Sequence, residues 1–141
     1  MAGLDEALGQ LGKTLAEREA SHADGLAHAR DKAAELHERV KTALEHYHAA
    51  IAEGGAEHLC VELTAPRLDE KHVRSYEFDL RRGRHRGLFI LKSRGELTLV
   101  GPFRTGKTEG PCRSFPIDAE AEIDGALVEF VSSFLEEAAT P

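Results

Sequence analysis

The sequence predicts an α+β fold: a long N-terminal helix, an antiparallel meander of four or five strands, and a C-terminal helix packed on the sheet. Three observations predict it. Apolar residues recur at steps of three and four from Leu4 to Ile51. The period falls to two between His58 and Leu99. It returns to three and four between Ile123 and Phe134. The chain divides accordingly into a helical, coiled-coil-like segment over 1–55 and a sheet domain with its closing helix over 56–141.

The first segment is mostly Ala, Leu, Glu, Lys, Arg and His, with no proline from Leu4 to Glu53. These are largely good helix formers. Leu4, Leu8, Leu11 and Leu15 make one stripe. Leu26, Ala29, Ala33, Leu36, Val40, Leu44, Tyr47 and Ile51 make another, and Gly54-Gly55 supply a stop. Between the stripes the register falls on Arg18 and His22, and Gly25 intrudes. An unbroken helix of about 50 residues would be about 75 Å long. A compact chain of this size has a radius of gyration of only about 14 Å. The helix therefore either breaks near residue 24 into an antiparallel hairpin or runs on, straight or kinked, and pairs with another chain. Ser21 with Asp24 is a capping signal for the break. Helix propensity on both sides favours continuity. Both forms predict self-association as a homodimer, with Leu26, Ala33, Leu36, Val40, Leu44, Tyr47 and Ile51 as the seam.

From His58, Leu59, Val61 and Leu63 alternate with polar positions until Pro66 ends the run, which reads as a strand. Tyr76, Phe78 and Leu80 alternate next, with a turn at Gly83. Leu88-Phe89-Ile90-Leu91 is apolar on both faces and suits a central strand. A turn at Lys92–Gly95 leads to Leu97 and Leu99, and a short strand is expected near Cys112–Phe115. Connections this short require antiparallel neighbours. Asp118 is a suitable N-cap for the last helix, whose stripe is Ile123, Leu127, Val131 and Phe134.

Charge is distributed unevenly. Residues 1–66 carry six Lys/Arg and twelve Asp/Glu, residues 67–117 the reverse, and residues 118–141 seven acids and no Lys/Arg. A basic island lies between two acidic ends, which bears on partners rather than on fold. Its densest part is Arg81-Arg82-Gly83-Arg84-His85-Arg86 around a turn. Together with Arg74, Lys92 and Arg94 these side chains could line one side of the sheet, and Arg81, Arg82, Arg84 and Arg86 with Arg104, Lys107 and Arg113 are the candidate anion-binding set. They would capture an acidic protein or, alternatively, a nucleic-acid backbone.

Gly101-Pro-Phe-Arg-Thr-Gly106-Lys107-Thr108 fits the letters of a phosphate-binding P-loop. That chemistry needs a helix starting at the Lys-Thr pair, so that backbone N–H groups face the phosphates. Gly110, Pro111 and Pro116 forbid a long one there. The surviving reading is a glycine-rich hairpin loop on which Arg104, Lys107 and Arg113 could hold an anion. Glu19-x-x-His22 and Glu45-x-x-His48 have the spacing of carboxylate-bridged metal bundles, but the other acids such a site needs are missing. No nucleophile turn is present, and Ile90 stands where a nuclease strand would carry a carboxylate. No catalytic residue, metal or cofactor is assigned. Cys60 and Cys112 lie too far from any CxxC pattern to suggest more than two half-buried thiols. With no apolar run long enough to span a bilayer and no signal-like N-terminus, a cytoplasmic chain without a membrane partner is expected.

Overall fold

Alternation of apolar and polar residues builds the sheet, and the two helices use its apolar side. A computed structural model describes residues 3–106 and 110–140. Helix α1 spans Gly3–Glu53 without a break. A short 3-10 turn, Glu57–Leu59, follows. The strands are β1 (Glu62–Leu63), β2 (Arg67–Leu68), β3 (Ser75–Arg82), β4 (His85–Lys92), β5 (Glu96–Arg104) and β6 (Cys112–Pro116), and α2 spans Glu120–Ala139. All pairings are antiparallel in the order β1-β3-β4-β5-β6, with β2 also on the outer edge of β3. The expected strand through Leu59 and Val61 is shorter than its alternation suggests. Its first residues form the 3-10 turn, and an offset at Thr64–Pro66 divides the rest into β1 and β2.

Register assigns the side chains to faces. Phe78, Phe89 and Leu99 lie in one row across β3, β4 and β5, with Tyr76, Leu91, Leu97 and Phe115 in the next on the same face. Both helices pack there. Ala29, Ala33, Leu36, Val40 and Leu44 of α1 share one core with Phe78, Phe89, Leu91 and Leu97 and with Ile123, Leu127, Phe130 and Phe134 of α2. Phe78 stacks on Phe89 at 4.4 Å between centroids, and Phe130 meets Phe89 edge-on at 5.1 Å. Gly87 keeps this face open for α2, since a Cβ there would lie 3.1 Å from the Phe130 ring. The helices are tied side by side by Lys32–Glu120, by Arg39–Asp124 at 2.5 Å and by His28–Asp118 at 3.1 Å. Burial of Lys32 acts to lower its pKa, but Glu120 and Glu35 outweigh that and raise it. Asp118 therefore holds His28 through a hydrogen bond rather than capping α2. The N-cap of α2 is Ala119, which makes no side-chain capping bond.

Gly25 is not a break. It lies where α1 crosses the β4–β5 turn, and a Cβ there would collide with the Ser93 carbonyl oxygen. The crossing is fastened by His22, whose Nε2 donates to the Val73 carbonyl at 3.0 Å and whose Nδ1 accepts the Ser93 hydroxyl at 3.2 Å. Val73 adopts a φ of 51°, rare for a β-branched residue. Before this crossing α1 is an overhang: from Gly3 to Ser21 every residue but Thr14 is exposed.

Candidate anion-binding face

The face opposite the helices is open. Its rows follow from register: Glu62, Arg81, Arg86 and Phe103; then Asp79, Leu88, Val100 and Cys112; then Arg67, Glu77, Ile90, Thr98 and Ser114. Leu88, Ile90, Val100 and Phe103 are half-buried and lie outside the core shared by the helices. A basic corner adjoins this apolar centre. Phe103 reaches the open face because Arg86 pairs with it while Leu88 pairs with Val100, so Gly101–Pro102 form a bulge opposite Gly87.

Asp79 organises the corner. It is fully buried, although its neighbours on the open side are arginines. Thr64, at the offset between β1 and β2, donates its hydroxyl to Oδ1 at 2.7 Å and accepts the Asp79 N–H at 2.9 Å. Arg67 Nη1 donates to Oδ1 at 2.8 Å, Arg81 Nε to Oδ2 at 2.5 Å and Arg86 Nη2 to Oδ2 at 2.9 Å. Burial alone would raise the Asp79 pKa. Hydrogen bonds from Arg81, Thr64, Arg86 and Arg67 overcome it and hold the carboxyl well below the usual carboxylate range. The carboxylate is thus ionised and saturated.

The guanidinium groups are not saturated. Arg67 also pairs with Glu77 at 3.2 Å. Among the described residues the two terminal nitrogens of Arg81 and Nη1 of Arg86 have no hydrogen-bond partner. The side chains of Arg81 and Arg86 are 44% and 28% exposed, so these donors reach solvent while Asp79 fixes their orientation. An arginine held by Nε with both Nη groups free is a fork matched to a carboxylate or phosphate.

The basic set predicted from sequence does not lie on one side. Adjacent strand residues point to opposite faces, and this separates Arg81 from Arg82. Arg82 lies with His85 and Arg104 on the helix side, where it donates to the carbonyls of Ala138 and His58. Arg113 also faces the helices, pairs with Glu129 of α2 at 2.8 Å and lies over Phe115. Arg84 sits at the β3–β4 turn and Arg104 at the end of β5, both exposed and without an ion-pair partner among the described residues. Lys107 lies outside the described residues. The glycine-rich octet is not a single loop, because its first half is strand, and the chain returns as antiparallel β6. Arg67, Thr64 and Asp79 were missed. The signal for Asp79 was present: in SYEFDLRR it alternates with Arg81 on the polar phase.

The predicted seam is also corrected. Ala33, Leu36, Val40 and Leu44 are at most 4% exposed because the sheet and α2 of the same chain cover them, so they are not free to meet another copy. Leu26, Tyr47 and Ile51 are half-buried. Val40, Leu44 and Tyr47 border a groove of about 350 Å³ facing Leu127, Val131 and Leu135 of α2. Cys60 and Cys112 are exposed rather than half-buried. Among the described residues no helix is long and apolar enough to cross a membrane. In comparisons with known protein families, curated proteins and solved structures, nothing matches this chain.

Proposed function

We propose that the chain is a non-catalytic, self-associating interaction module that captures an acidic protein partner on the open face of its sheet. The observation that carries this reading is the buried Asp79, which holds Arg81 and Arg86 with guanidinium nitrogens turned to solvent. Orienting those groups in advance lowers the entropy lost when a partner carboxylate binds. The apolar centre of Leu88, Ile90, Val100 and Phe103 would then receive the partner's apolar side chains. Two exposed free thiols suit a reducing, cytoplasmic setting.

A nucleic-acid backbone is the second reading, favoured by Phe103 beside Arg86, a pairing suited to stacking a base. It is the weaker one. Few guanidinium groups on this face are free of carboxylates, and polyanion binding draws its strength from many phosphate contacts.

Titration of a fluorescent Glu-rich peptide tests the proposal. Arg81→Ala and Arg86→Ala should each weaken binding about tenfold or more, as expected for a lost charge-assisted hydrogen bond. Arg82→Ala and Arg113→Ala should change it by less than about twofold. Equal losses from all four would mean diffuse attraction without a site. Tighter retention of duplex DNA than of the peptide, lost steeply with salt, would favour the second reading.

A further inference from the structure

Among the described residues none covers the leucines of the α1 overhang. Leu4, Leu8, Leu11 and Leu15 are 71%, 56%, 48% and 48% exposed on one helical stripe. We propose that a second copy of this chain covers them, with the two overhangs antiparallel about a twofold axis between residues 9 and 10. Leu4 then meets the partner's Leu15, and Leu8 meets the partner's Leu11. This rests on the reading of the chain as self-associating and assigns that association to a surface other than the sequence-predicted seam.

Three observations choose this occupant and this direction. First, the spacing of the leucines is four, three, four, which reads the same from either end. An antiparallel twofold pair requires such a palindromic spacing, which a parallel pair does not.

Second, the leucine stripe continues in register into Ala29, Ala33, Leu36 and Val40, which lie on the sheet. Helix–helix and sheet-layer spacings are similar, roughly 10 Å. A partner helix on the stripe therefore occupies the layer that the sheet occupies farther along. In a parallel pair the partner's helix would run into this chain's own sheet just beyond His22. In the antiparallel pair the partner's Leu4 lies beside Leu15, about 10 Å from the His22 crossing, so the two leucine stripes meet clear of the sheet.

Third, Arg18 lies in the stripe after Leu15. A parallel pair stacks it on its own copy, a like-charge contact inside an apolar seam. The antiparallel pair carries it past the partner's Leu4. Ala7 and Gly12 flank the seam and leave room for close approach. The buried area is on the order of 1,000 Å², at the low end for specific association, so the dimer should dissociate on dilution.

The test uses the full chain with Cys60→Ser and Cys112→Ser. Sedimentation equilibrium should give a dimer that dissociates on dilution, at least tenfold weakened by Leu8→Asp with helicity otherwise kept. Chains carrying Leu4→Cys and Leu15→Cys, one of them mass-tagged, are then mixed and gently oxidised. Disulfides joining the two different variants should predominate. Predominant disulfides between identical Leu4→Cys chains would overturn the antiparallel arrangement and leave self-association standing. A dimer indifferent to Leu8→Asp would overturn the seam. A monomer at every concentration would overturn the self-associating reading as well. Binding of that monomer to phosphatidylcholine vesicles through the same leucines would assign the stripe to lipid instead.

Discussion

Asp79 carries more of the open face than any arginine near it. A wholly buried ion pair broken from one side costs about 3–5 kcal/mol. Here Arg67, Arg81 and Arg86 can turn toward water, which reduces the loss. Asp79→Asn should therefore destabilise the fold by about 2–3 kcal/mol at neutral pH, read by urea denaturation. The pH dependence has a definite sign. The folded pKa is lowered, so the stabilisation is complete above the unfolded value of about 4 and is lost as pH falls toward the folded value. The gap between wild type and Asp79→Asn should narrow below about pH 4. A gap that widened in acid would contradict this assignment. Gly25 gives a second residue-scale test. Replacing a helix glycine by alanine ordinarily gains about 1 kcal/mol. Gly25→Ala should instead cost about 1–3 kcal/mol through the Ser93 carbonyl, whereas Gly9→Ala, with open space around it, should strengthen the helix and raise far-UV ellipticity.

At the scale of elements, periodicity made most of the fold legible. The helix over Gly3–Glu53, the hairpins of β3, β4 and β5 and the helix over Glu120–Ala139 all follow from it. What periodicity missed has physical causes. Leu59 and Val61 alternate like a strand, yet the chain must turn off the end of α1, and local geometry prevailed. Gly25 resembles punctuation but serves a close approach between elements, which one sequence cannot reveal. The basic cluster looks like one surface in the sequence, although its own strand alternation divides it between two faces. Asp79 was legible as the polar-phase neighbour of Arg81, but Arg67 and Thr64 approach it across a strand offset that no local pattern announces. This division predicts a split in the peptide titration. Arg81 and Arg86, on the open face, should matter to binding. Arg82 and Arg113 touch α2 or its carbonyls and should matter to stability, each by about 1 kcal/mol in thermal denaturation.

The whole molecule has two different sides. One carries the acidic helices, and among the described residues their ion-paired carboxylates are held mostly by α1 bases, as in Lys32–Glu120 and Arg39–Asp124. The other is the open sheet, where an apolar centre adjoins Arg67, Arg81 and Arg86, which share the buried Asp79, with Glu77 beside Arg67 and Glu62 in the row of Arg81. The acidic C-terminal helix therefore does not neutralise the basic corner. The antiparallel overhangs would place two such faces at opposite ends of one dimer, so avidity toward a repeated acidic partner should rise with dimerisation and fall in Leu8→Asp. The most direct measurement is amide chemical-shift mapping while an acidic, partly apolar peptide is titrated. Shifts concentrated at Arg81, Arg86, Leu88, Ile90, Val100 and Phe103 are the predicted result. Shifts confined to α1 and α2, with the open face unchanged, would contradict it.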